Sequence, residues 1–302
     1  MLKSLYSGVS GMKGFQTKLD VIGNNIANVN TVGFKKSRVM FQDIINQNIS
    51  GATAPTSISG GVNSKQIGLG SKVASIDTIH TPGSPMTTNV GTDLAIDGDA
   101  FFVVTPQTGG GVSYLTRAGN FTLDANGSLV NSNGYYVAGV AVDNNGVQHQ
   151  IPITISDDQK SNQKFTSYSI DSNGYINVVR EDGKSGKLAM DLTTNQYYLN
   201  NSTTANQNEN ISLATSVVPN PGGLKKVGNT LFEETGNSGL ANTGRILDNK
   251  GGQIDTGVLE MSNVDLTDEF TEMIVAQRGF QANAKTITTS DSILDEIVNL
   301  KR

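Results

Sequence analysis

Cysteine and tryptophan are absent from the 302 residues, and histidine occurs only at His80 and His149. The missing cysteines exclude disulfides, thiolate metal sites and cysteine nucleophiles. No Gly-x-Ser-x-Gly elbow, Gly-x-x-x-x-Gly-Lys phosphate loop or His-Glu-x-x-His metal motif occurs. The expectation is therefore a protein that is not an enzyme, with no catalytic, cofactor-binding or metal-binding residues and no cofactor. Charge is scarce as well. Charged residues make up 16% of the chain, where about a quarter is usual. The net charge of -5 argues against a nucleic-acid partner. No apolar run reaches the length of a membrane span, so no membrane insertion is expected. The opening residues, "MLKSLYSGVSGMKGF", lack the continuous apolar core and small-residue cleavage site of a secretory leader. Export, if it occurs, is expected by a route that needs no cleaved signal.

What is present is sorted along the chain. Near the N-terminus Leu5, Met12, Leu19 and Ile26 recur every seven residues, with Phe15, Ile22 and Val29 in a second row broken at Gly8. Near the C-terminus Leu266, Met273, Phe280, Ile287 and Leu294 repeat at the same interval. Such rows mark long amphipathic helices. Lengths of about 25 and 35 residues correspond to about 40 and 50 Å. Thr267 is the expected cap of the second helix, with Asp268 and Glu269 favourable in its first turn. The two helices are expected to pair as an antiparallel, coiled-coil-like hairpin. The first helix carries Gly8, Gly11, Gly14 and Gly23, each costing about 1 kcal/mol relative to alanine. A helix so weakened is marginal alone. Its small-residue face is read as a place where another subunit's backbone comes close. The expected assembly interface is Leu5, Gly8, Gly11, Met12, Gly14, Phe15, Leu19, Ile22 and Ile26 with Leu266, Met273, Phe280, Ile287 and Leu294.

Between the helices the pattern is strand and turn. The divisions expected are a helical core domain over 1–30 and 264–302, and a connecting region over 31–72. An inner β domain follows over 73–146 and 215–263, with an outer β domain, 147–214, inserted in it. The stretch Ser50–Gly70 is rich in Gly, Ser and Thr and reads as a linker. Four Asp-x-x-Gly segments recur, at Asp124–Gly127, Asp143–Gly146, Asp171–Gly174 and Asp248–Gly251. Calcium loops need Gly at the sixth position and Glu at the twelfth, which these lack. Hairpin turns with Gly in the left-handed region are expected instead. The fold class expected is mixed α and β.

Two terminal stretches add a resemblance. "LDVIGNNIANVNTVGFKKSRVMFQDI" resembles the N-terminal signature of the bacterial flagellar rod and hook proteins, and "LEMSNVDLTDEFTEMIVAQRGFQANAKTITTSDSILDEIVNL" resembles their C-terminal signature. The run Ile274–Asn283 and the segment Ile67–Ile76 look more like the hook branch of the family than the distal rod branch. The resemblance implies a structural subunit that polymerises through its terminal helices into a bendable hollow tube, transmitting torque from rod to filament. It implies itself as principal partner, together with the distal rod protein, the hook cap and hook–filament junction proteins, and the flagellar type III export gate. The implied location is the extracellular flagellum. Phe41 and Ile45 resemble the family's export-gate docking motif. The short outer insert keeps the distal rod branch as the alternative, and a secreted β-rich adhesin or binding module is the more remote one.

Overall fold

In a computed structural model the described residues are 2–56, 60–107, 112–143, 147–192, 194, 196–201 and 209–300. They form a mixed α and β fold that divides into two compact units. The first comprises 1–29, 36–79 and 264–302; the second comprises 30–35 and 80–263.

The first unit is built on the two terminal helices. Helix α1 spans Leu2–Ala27 and the C-terminal helix α3 spans Leu266–Leu300; a single turn, α2, spans Ile246–Asn249 in the other unit. The terminal helices run antiparallel. Gly8 lies opposite Ile287, Gly11 opposite Asn283 and Phe15 opposite Gly279, and Lys18 pairs with Glu272 at 2.9 Å. The cap of α3 is Asp265 and not the expected Thr267. The Asp265 carboxylate accepts from the backbone N–H groups of Thr267 at 2.8 Å and Asp268 at 3.3 Å. Those two bonds hold its carboxyl below the usual carboxylate range. The Asp265 carboxylate stands two positions before Thr267, so the helix begins sooner, at Leu266.

Part of the segment expected as a connection is strand. β1, Ser37–Asp43, pairs antiparallel with β4, Ser71–Thr78, and β2, Gln47–Ser50, with β3, Lys65–Ile67. The ring of Phe41 on β1 packs against Phe15 of α1, with centroids 5.9 Å apart.

The second unit holds an eleven-stranded sheet and a five-stranded antiparallel sheet. Phe101–Thr105, with every residue buried, lies between Tyr114–Thr116 and Tyr136–Val142 in the larger sheet. The smaller sheet is a meander from Asp157 to Asn200, with Ile170 opposite Ile176 and Leu188 opposite Leu199. Side chains of both sheets meet in one cluster. Phe102, Leu129 and Ile153 join Ile176, Val178 and Leu188 there. The region expected as an outer domain therefore shares its core with its neighbour.

The turns follow the expected chemistry at two places. Gly127 and Gly174 both take φ +78° and close hairpins through their N–H to the carbonyls of Asp124 and Asp171. At Asp248–Gly251 the left-handed residue is Lys250, φ 52°, because the motif there ends the short helix α2. Residues 144–146 of the fourth motif lie outside the described residues.

Candidate assembly surface

The two units bury their apolar residues very unequally. Among the described residues, Ile22 and Ala276 are the only fully buried apolar side chains of the first unit. The second unit has an extended core running from Leu94 to Leu259. Conversely, most of the large apolar side chains left exposed belong to the first unit. On α3 they are Leu266, Phe270, Ile274 and Val275, and then Ile293, Ile297, Val298 and Leu300; on α1 they are Tyr6 and Val9. Leu266, Phe270 and Ile274 recur at four-residue intervals and line one helix face. A helix pair with so little enclosed surface has little hydrophobic stabilisation of its own. Exposed apolar stripes of this kind mark contact surfaces.

The expected interface residues divide by position. Leu5, Met12, Phe15, Leu19 and Ile26 are half-buried, as are Met273, Phe280, Ile287 and Leu294, whereas Leu266 is exposed. Gly8, Gly11 and Gly14 are buried, and the atoms that meet them come from the same chain. A Cβ at Gly8 would lie 3.2 Å from Ile287, one at Gly11 2.9 Å from Asn283, and one at Gly14 2.7 Å from the Phe41 ring. The small residues thus let α3 and Phe41 approach α1. Gly23, by contrast, has open space beside it. Phe41 is partly engaged by α1, whereas Ile45, 81% exposed, is not.

A buried polar residue outside the heptad rows bridges three elements of the helical unit. Asn25 is buried at 1% exposure. Its amide oxygen accepts from the Ser37 N–H at 3.0 Å, and its amide nitrogen donates to the Ser37 carbonyl at 2.8 Å and to Glu269 at 3.1 Å. One side chain thereby ties α1 to the first residue of β1 and to the first turn of α3. Lys36 adds a 3.9 Å ion pair to the same Glu269. The signal was present: Asn25 lies three residues after Ile22, on the side of the helix that is buried.

The second unit carries its own buried polar knot. Lys35, its side chain wholly enclosed, donates to Glu260 at 2.6 Å and to the Thr81 carbonyl at 2.7 Å. The Glu260 carboxylate also accepts from the Gly83 N–H at 3.0 Å and approaches Arg117 at 3.5 Å. Arg117 donates to the Gly98 carbonyl at 2.7 Å and lies over the Phe101 ring at 4.9 Å. Burial pulls the Lys35 ammonium below its ordinary value, and Glu260 opposes that pull. His80 sits between Phe101 and Phe232, at 5.8 and 5.5 Å. Its burial, with Lys35, Arg117 and Lys226 nearby, lowers its pKa to about 4. This knot has ion pairs but no aligned nucleophile and base. Among the described residues no group of acidic or histidine side chains could hold a metal ion, and no helix is long and apolar enough to cross a membrane.

Comparison with known proteins agrees along the chain. The model described as "Flagella basal body rod protein" matches residues 5–35, that of the "Flagellar hook protein FlgE/F/G D1 domain" matches 95–178, and that of the "Flagellar basal body rod FlgEFG protein C-terminal" matches 255–300. The flagellar basal-body rod protein FlgG of Bacillus subtilis is 50% identical over 303 residues, covering all of both chains. The flagellar hook protein FlgE of Borreliella burgdorferi is 35% identical over an alignment of 444 residues, again covering all of both. The rod protein FlgG of the same organism is 34% identical over 305 residues, also covering all of both.

Proposed function

We propose, since the chain belongs to the family of flagellar basal-body rod and hook proteins, that it is a rod subunit which polymerises through its terminal helical unit. The observation that carries the rod reading is length. The match to the Bacillus rod protein spans 303 residues end to end. The hook relative needs an alignment of 444 residues, so it contains long inserts that this chain lacks. The hook reading drawn from Ile274–Asn283 therefore gives way to the rod alternative. Both branches share that helix, whereas the inserts separate them.

The helical unit supports self-assembly because it leaves its apolar stripes uncovered. The second unit has a sufficient core and acts as the folded body each subunit brings to the polymer. The other axial proteins that adjoin a rod and the flagellar export gate are the partners this reading implies, with placement in the flagellum outside the cytoplasm. Export through Phe41 and Ile45 belongs to the same proposal. Ile45 tests it best, since its exposure allows it to be changed without disturbing packing. Two measurements decide. Antibody labelling of isolated basal bodies is expected to mark the straight rod, and label confined to the curved hook would overturn the rod reading. Ile45→Ala is expected to lower secretion with unchanged stability, and normal secretion would remove the export role.

A further inference from the structure

The last turns of α3 carry exposed carboxylates beside an apolar stripe. From Thr286 to Leu300 the helix carries Asp291, Asp295 and Glu296 and no basic residue, and Lys301 and Arg302 follow in the sequence. A helix C-terminus is the negative end of the macrodipole and favours cations. The three carboxylates are exposed, and no ion pair closes on them among the described residues. The antiparallel register, Gly8 opposite Ile287 and Gly11 opposite Asn283, brings the first turn of α1 level with roughly Ser290–Ser292 at equal rise along both helices. The final turns of α3 therefore run past the end of α1. Ile293, Ile297 and Leu300 form one apolar stripe there, at helical spacing, with Glu296 on the same face.

The complementary surface lies on the outer side of α1. Tyr6, Val9 and Lys13 fall on one face at helical spacing and are all exposed. Lys3, Lys13 and Lys18 outnumber the single acid, Asp20, along this helix, and its first turn contains no acid. Lys18 is already paired with Glu272, whereas Lys13 has no ion-pair partner among the described residues. Within one chain the final turns of α3 cannot reach Lys13, which the register places near residue 281.

We infer that the overhanging end of α3 docks on the outer face of α1 in a second copy of this chain, Ile293, Ile297 and Leu300 packing on Tyr6 and Val9 while Glu296 pairs with Lys13. The contact is head-to-tail: one patch meets a different patch, so each added copy offers a fresh site and the assembly grows without closing. It rests on the self-assembly proposed above and specifies which surfaces make it.

The test is a charge exchange in the full-length protein. Lys13→Glu and Glu296→Lys, made separately, set like charges against each other and are expected to lower sedimentable polymer by about tenfold or more. Combined, they restore an opposite pair and are expected to recover the wild-type yield to within about threefold. Circular dichroism of the soluble protein is expected to be unchanged throughout, since both residues are exposed. Wild-type yield from either single variant, or a double variant no better than the singles, would overturn this docking. A wild-type chain that forms no polymer would instead overturn self-assembly, and this pairing with it.

Discussion

Replacing Asn25 by Ala removes a side chain that joins α1, β1 and α3. Three hydrogen bonds are lost, two to the backbone of Ser37 and one to the Glu269 carboxylate. Each neutral bond contributes about 1 kcal/mol net, and the bond to a charged group about 1.5–3 kcal/mol. The half-buried Ser37 N–H and carbonyl lose these bonds, which adds to the cost. Water entering the vacated volume recovers part of it. The balance is a destabilisation of about 3 kcal/mol, or roughly 10–15 °C in melting temperature for a unit of this size. The measurement is thermal unfolding of the full chain followed by helical circular dichroism. Asn25→Asp provides a second, directional check. It keeps an acceptor for the Ser37 N–H but faces Glu269 with a second carboxylate, so it is expected to be least stable at neutral pH and to recover as the pair takes up a proton in mild acid. If Asn25→Ala unfolds within about 0.5 kcal/mol of wild type, the clasp is not what holds the helical unit together.

Three further outcomes are expected. His80 is held neutral down to about pH 4, below its unfolded value near 6.5. The unfolded chain therefore binds the proton first, and stability present above pH 6.5 is lost as the pH falls toward 4. After allowance for partial exposure the loss is about 2 kcal/mol, and urea titrations of His80→Leu should show a correspondingly flatter slope in that window. Glu260→Gln leaves the enclosed Lys35 and Arg117 without their counter-charge and should destabilise the second unit by about 3–5 kcal/mol in denaturant unfolding. Gly14→Leu gains about 1 kcal/mol of helix propensity but drives a side chain into the Phe41 ring, at about 1–3 kcal/mol. Near-ultraviolet dichroism and melting of the soluble chain should therefore report a loosened helical unit before any assembly is attempted.

The periodic parts of this fold were legible because their physics is local. Seven-residue rows gave α1 and α3 nearly to their ends, and the Asp-x-x-Gly turns placed the bends at Gly127 and Gly174. What stayed hidden depends on partners far away in the chain. Lys35 has its counter-ion, Glu260, 225 residues away. Asn25 lies outside the seven-residue rows, yet it is buried because β1 returns to it. The glycines of α1 suggested the approach of another subunit. Composition alone could not say whose backbone or side chain would approach, and the atoms that do so here belong to α3 and Phe41 of the same chain. The small outer sheet looked like a separate insert because its strands are local. Only the shared cluster of Phe102, Ile176 and Leu188 shows that it has no separate core.

The division of burial between the two units bears on how such a subunit behaves before it assembles. The second unit can fold on the apolar area it encloses. The helical unit cannot rely on that term, because its fully buried apolar residues are few and its stability rests on a polar clasp, ion pairs and glycine-spaced contacts. The hydrogen bonds of the clasp contribute about 1–3 kcal/mol each and the partly exposed ion pairs about 0–1 kcal/mol, enough to define a geometry and too little to make it rigid. Covering the stripes at Phe270, Ile274, Ile293 and Ile297 with a second copy would add roughly 25 cal/mol for each Å² of apolar surface removed from water. Order in the helices and growth of the polymer are then two expressions of one free energy. Helical dichroism should rise with protein concentration across the range in which polymer forms, while the signal of the β unit stays constant. Helicity independent of concentration would show that the terminal pair is complete in the single chain, and the exposed stripes would then need another explanation.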